Sequence, residues 1–215
     1  MTSKMYNLVK RSIETESTAR LVSDLFNPLI MPPLALGILA YSITVPANRI
    51  LMLFGITLLF YSILPLISAI LLSRRMGSDS LDFTLKSSRK ALYGFSVVSA
   101  FAGVLLVFIY FQEYFLRLTA VIFLINLIAA LLLNFRWKVS VHNAAVSTAG
   151  ACLIIFGRVS PETFYPTVAG LLLLCVFLPL VSWSRYRLNV HSIPELLGGM
   201  TVGLALTAIT SILWL

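Results

Sequence analysis

Apolar runs of about 20 residues recur along this chain, and 20 residues is about the length a helix needs to cross the hydrocarbon core of a bilayer. Seven such segments are present, at roughly 26–45, 50–73, 91–111, 115–134, 139–157, 166–183 and 192–214. Inside a bilayer no water satisfies backbone N–H and C=O groups, so each run must fold as a helix. Composition agrees: 59% of the 215 residues are hydrophobic and only 11% are charged, against roughly 25% charged in a soluble domain. The expected fold is all-α, a polytopic integral membrane bundle of six to seven transmembrane segments. The count is six if the first segment, which carries Pro28, Pro32 and Pro33, is kinked or re-entrant. Residues 1–25 are read as a polar N-terminal segment and 26–215 as the transmembrane domain. The first 25 residues are mixed in charge and lack the short apolar core of a cleavable signal.

The net charge of +8 first reads as topology. With seven crossings, only Arg49, Arg117 and Arg158 of the sixteen Lys and Arg residues fall on one face. The rest share the other face with the N-terminus and the loops 74–90, 135–138 and 184–191. The positive-inside rule places that cation-rich face in the cytoplasm. The cations are scattered among short loops, which excludes a nucleic-acid interface. The expected setting is a bacterial or archaeal cell membrane. Cys152 and Cys175 lie inside apolar runs and read as free thiols packing as small apolar groups.

The same alternation puts both histidines of the chain, His142 and His191, on the cation-rich face. It brings Lys86, Arg89, Ser140, Arg185 and Glu195 to that membrane surface as well. Phosphoryl chemistry needs this inventory: cations for the phosphate oxygens, a nucleophile, and a proton donor for the leaving oxygen. Histidine serves in either of the last two roles. Glu195 follows His191 by four residues, a spacing that lets a carboxylate hold one imidazole nitrogen. Ser192-Ile193-Pro194-Glu195 also fits a helix capping box, and the two roles are compatible. Arg187 reads as a topological cation only. Asp82 is an alternative partner for Lys86 or Arg89. Asn126 and Asn134 are expected to hydrogen-bond between helices, and Gly199 with Gly203, like Ala145 with Ala149, to allow close helix packing.

Three short patterns resemble the signatures of the type 2 phosphatidic acid phosphatase superfamily. Ser184-Arg185, five residues, His191, three residues and Glu195 is similar to the third signature, which ends in Asp. Ser140 and His142 match two positions of the second, Pro-Ser-Gly-His, with Val139 and Val141 in place of Pro and Gly. Lys86 and Arg89 stand as a shortened first signature without its proline. The resemblance covers about residues 82–205.

The resemblance implies a metal-independent lipid phosphatase with no cofactor. His191 would be the nucleophile that becomes phosphohistidine, Glu195 its orienting acid, and His142 the acid for the leaving group. Lys86, Arg89, Arg185 and Ser140 would bind the phosphate. The expected substrate is a phosphate monoester or pyrophosphate of a lipid, of phosphatidate, phosphatidylglycerophosphate or polyprenyl phosphate type. Its tails would enter sideways from the bilayer. A lipid phosphotransferase with a hydroxyl acceptor, and a non-catalytic lipid binder or transporter, are the competing readings. Few ionisable groups lie deep in the segments, which argues against ion-coupled transport.

Overall fold

The computed structural model describes residues 3–75, 86–158 and 164–214, and side chains within 14–75, 91–158 and 164–214. Every regular element among the described residues is helical. We number them α1 (Ser3–Leu25), α2 (Met31–Ser42), α3 (Ala47–Arg75), α4 (Lys86–Tyr110), α5 (Tyr114–Leu133), α6 (Val141–Gly157), α7 (Tyr165–Arg187) and α8 (Ile193–Trp214). Five of these, α3, α4, α5, α7 and α8, are long and apolar enough to cross a membrane. The other two apolar segments are shorter, 12 residues in α2 and 17 in α6. At 1.5 Å per residue α2 reaches only about 18 Å and α6 about 26 Å, against about 30 Å of hydrocarbon. The first segment starts irregularly: the chain turns over residues 26–30, and Pro32 and Pro33 fall in the first turn of α2. There the missing N–H groups have no intrahelical partner to lose.

The shorter α6 is enclosed by its neighbours. It is the innermost helix, touching α2, α5, α7 and α8, and most of its side chains are buried. Glycines let its neighbours approach. A Cβ on Gly203 of α8 would lie 2.5 Å from the Ala144 carbonyl oxygen, and one on Gly199 would lie 3.0 Å from the Ser140 carbonyl carbon. On the other side, a Cβ on Gly170 of α7 would meet the Gly150 carbonyl oxygen at 2.6 Å. Gly199 and Gly203 thus serve close helix packing, as expected, and the surface they meet is built from Ser140, Ala144 and Ser147. Asn126 and Asn134 do not bridge helices through their amide N–H groups. Each donates to the carbonyl one turn back in α5, Ile122 at 3.0 Å and Ala130 at 2.8 Å.

The bundle has two ends with different chemistry. At one, Arg49 grips Glu113 with a two-pronged ion pair at 2.7 and 3.1 Å and lies over the Phe111 ring. Tyr114 meets the carbonyl of Trp214 there. At the other end the α5–α6 and α7–α8 connections are tied together. Lys138 donates to the Val190 carbonyl at 2.6 Å, and the Ser140 N–H donates to the Glu195 carbonyl at 3.0 Å. Exposed aromatic residues mark both ends: Tyr41, Tyr110, Tyr165 and Trp214 at the first, Phe135, Trp137, Trp183 and Tyr186 at the second. Between them the outer surface exposes side chains such as Leu59, Ile63, Leu105 and Val176. Aromatic belts flanking an apolar band are the pattern of an integral membrane protein.

α1 is polar and packs along α7, with Ala19 and Ser23 buried against it. The segment read from sequence as a polar N-terminal segment therefore includes a helix docked on the bundle.

Replacing Gly203 with Leu should force α8 off α6 and destabilise the protein by about 1–3 kcal/mol or more. Gly37→Ala, where nothing lies within 4 Å of the added carbon, should be neutral or slightly stabilising. Thermal unfolding in detergent reads both.

Candidate active site

The site is assembled at the end of α7. Helix α7 stops with Asn189 in the left-handed region, φ 55°, where Asn is tolerated better than most residues. The chain then folds back, so that the Val190 and His191 N–H groups both point to the Arg185 carbonyl, at 3.2 and 3.4 Å. The five residues between Arg185 and His191 are one helix ending. Their number closes a backbone ring and sets His191 beside the turn that carries Arg185.

α8 starts at once. The Glu195 carboxylate accepts the Ser192 N–H at 3.0 Å and meets Nδ1 of His191 at 3.1 Å through the same oxygen, Oε2. Helix capping and imidazole orientation are thus one arrangement. An ionised carboxylate only accepts, so the neutral imidazole carries its proton on Nδ1 and keeps the Nε2 lone pair free. Burial pushes the His191 pKa down to about 4, with Glu195 opposing the shift and the cations of Arg185 and Lys138 adding to it. At neutral pH His191 is uncharged, the state a nucleophile needs.

His142 reaches the site from the first turn of α6. Its Nε2 lies 3.5 Å from the Ser23 hydroxyl, which accepts a hydrogen bond from Arg185 Nη1 at 2.9 Å. One hydroxyl thus joins Arg185 to His142. Arg185 is only 7% exposed, and α1 is fastened beside it by Ser184, whose hydroxyl donates to the Ala19 carbonyl at 2.5 Å.

These groups head a cavity of about 420 Å³. Lys138, His142, Arg185 and His191 line its polar end, and Leu66, Ala69, Leu92, Phe123 and Leu127 line its apolar body. The volume falls within the range of small-molecule pockets, and its division into charged head and apolar body suits an amphiphile with an anionic head.

The candidate residues fare differently. His142, Arg185, His191 and Glu195 come together. Ser140, expected to touch phosphate, is fully buried and does not line the cavity. It caps α6, accepting the Asn143 N–H at 3.4 Å, because the chain must end its turn there with α8 pressed against it. The side chains of Lys86 and Arg89 and the whole of Asp82 lie outside the described residues, although α4, which begins at Lys86, lines the cavity through Leu92, Tyr93 and Ser96. Two contributors escape sequence reasoning. Lys138 had a weak signal, four residues before His142, and reads there as a topological charge. Ser23 had none, since nothing in a polar N-terminal segment announces a partner more than a hundred residues away. Among the described residues, no three His, Cys, Asp or Glu side chains gather as a metal-ligand set. No protein-family model, characterised protein or solved structure matches the chain.

With only two histidines, imidazole titration by NMR is unambiguous. His191 should titrate near 4, well below the ordinary histidine value. Since Glu195 holds the value up, Glu195→Gln should move it lower still.

Proposed function

We propose that the protein is an integral membrane lipid phosphatase that works through a phosphohistidine. The observation that carries this reading is His191, held at Nδ1 by Glu195 beside Arg185 and His142 at the charged head of an apolar cavity. Arg185 takes phosphate oxygens with its planar fork and Lys138 adds a point charge; Lys86 and Arg89 complete the set in the resemblance drawn from sequence. His191 Nε2 attacks phosphorus as the bond to the lipid oxygen breaks, and His142 gives that oxygen a proton. His142 then takes a proton from water as the water oxygen attacks the phosphohistidine, and inorganic phosphate leaves. The apolar body of the cavity holds the tail of a phosphatidate-, phosphatidylglycerophosphate- or polyprenyl-phosphate-like lipid while its head reacts.

In this reading α2 and α6 are inner segments that complete the crossing with protein around them, which gives seven passes in all. The cation-rich end, and with it the site, faces the cytoplasm of a bacterial or archaeal cell.

The purified protein in detergent should release phosphate from lipid phosphates without added divalent metal. His191→Ala should abolish release, by at least about a thousandfold, since it removes the nucleophile, and Arg187→Ala should change it little. Undiminished release by His191→Ala protein refutes the mechanism, and label passing from one lipid to a second marks a transferase instead of a hydrolase. On a Cys175→Ser background, a cysteine replacing Arg136 should resist an impermeant maleimide in intact cells and one replacing Gln112 should react. The opposite pattern reverses the orientation.

A further inference from the structure

Ser23 contributes to the site from an element that belongs to no apolar segment. It is 3% exposed and sits one helical turn beyond Ala19, whose carbonyl receives the Ser184 hydroxyl. α1 is therefore fixed to the end of α7 at two successive turns, through Ser184 and through Arg185. The second attachment also places a hydroxyl 3.5 Å from His142 Nε2.

On the phosphatase reading given above, we propose that Ser23 is a positioning residue for His142. It holds the imidazole at Nε2 and leaves Nδ1 as the nitrogen that exchanges a proton with substrate. The reasoning rests on donor and acceptor capacity. A guanidinium only donates, so Arg185 occupies one lone pair of the Ser23 oxygen. One lone pair and one hydrogen remain. The hydroxyl can therefore give its hydrogen to a bare Nε2 or accept one from a protonated Nε2. Histidine acting as acid and then base passes through both states, and a carboxylate or an ammonium at Nε2 would suit only one of them. Ser23 suits both without moving.

The proton balance follows. As the bond from phosphorus to the lipid oxygen breaks, the Nδ1–H of the imidazolium passes to that oxygen and the ring becomes neutral. In the second half, Nδ1 takes a proton from the attacking water and the imidazolium is restored. Nε2 stays with Ser23 throughout. The same hydroxyl ties the ring to Arg185, so the group that grips phosphate oxygens and the group that moves the proton share one support.

The test uses the full-length protein labelled with ¹⁵N-histidine, whose two imidazoles give two separate sets of signals. Ser23→Ala should move the Nε2 resonance of His142 and leave that of His191 in place. On a lipid phosphate it should lower kcat about tenfold, the loss expected for one orienting hydrogen bond, with KM changed by less than about twofold. Ser23→Thr, which keeps the hydroxyl, should restore both readouts, and Asp24→Asn, a change at the exposed neighbouring residue, should affect neither. An unmoved Nε2 resonance, or a kcat unaffected by Ser23→Ala, overturns the proposal. So does a rise in kcat, which would mean that the hydroxyl occupies the place of a phosphate oxygen. If the wild-type protein releases phosphate from no lipid, the phosphatase reading falls, and the His142 resonance alone decides whether Ser23 holds the ring.

Discussion

The close approach of α8 to α6 governs most of what this molecule can do. Gly199 and Gly203 present bare backbone to Ser140 and Ala144, and at that separation the ends of the two helices bond directly, Ser140 N–H to the Glu195 carbonyl. One helix end carries His142 and the other follows His191. A side chain at either glycine would meet the α6 surface, so one of the two helices would have to shift. In lipid no hydrophobic force drives helices together, so van der Waals contact between small residues carries this association.

The α7–α8 connection solves three problems with one turn. It ends α7 through backbone bonds to the Arg185 carbonyl, starts α8 through the Glu195 cap, and uses the same carboxylate to orient His191. The fixed interval from Arg185 to His191 to Glu195 is the length of a helix ending joined to a helix beginning. The spacing that lets Glu195 hold His191 and the spacing that caps α8 coincide here because both need a carboxylate about one turn past the residue that opens the helix.

Burial gives the site its electrostatic character. Burial at the head of an apolar cavity, with Arg185 and Lys138 close by, pushes the His191 pKa down to about 4, and the neutral ring is the form with a lone pair to offer. Arg185 is buried beside it and donates to the Ser23 hydroxyl.

By itself the sequence determined the helical membrane bundle, because apolar runs of bilayer length admit no other backbone. It also determined the local pairing of His191 with Glu195, because four residues span about one helical turn. The glycines of α8 were legible as packing positions for the same reason of local pattern. Tertiary structure decided what depends on distant segments meeting. It set α2 and α6 as short inner helices shielded by their neighbours. It turned Ser140 inward as a cap because α8 presses on it, and recruited Lys138 to the cavity. It also brought Ser23, from a polar stretch with no periodic or motif signal, to within hydrogen-bonding reach of Arg185 and His142. Contacts within a turn follow from spacing along the chain, whereas contacts between helices depend on which faces pack, and that is decided only when the whole bundle closes.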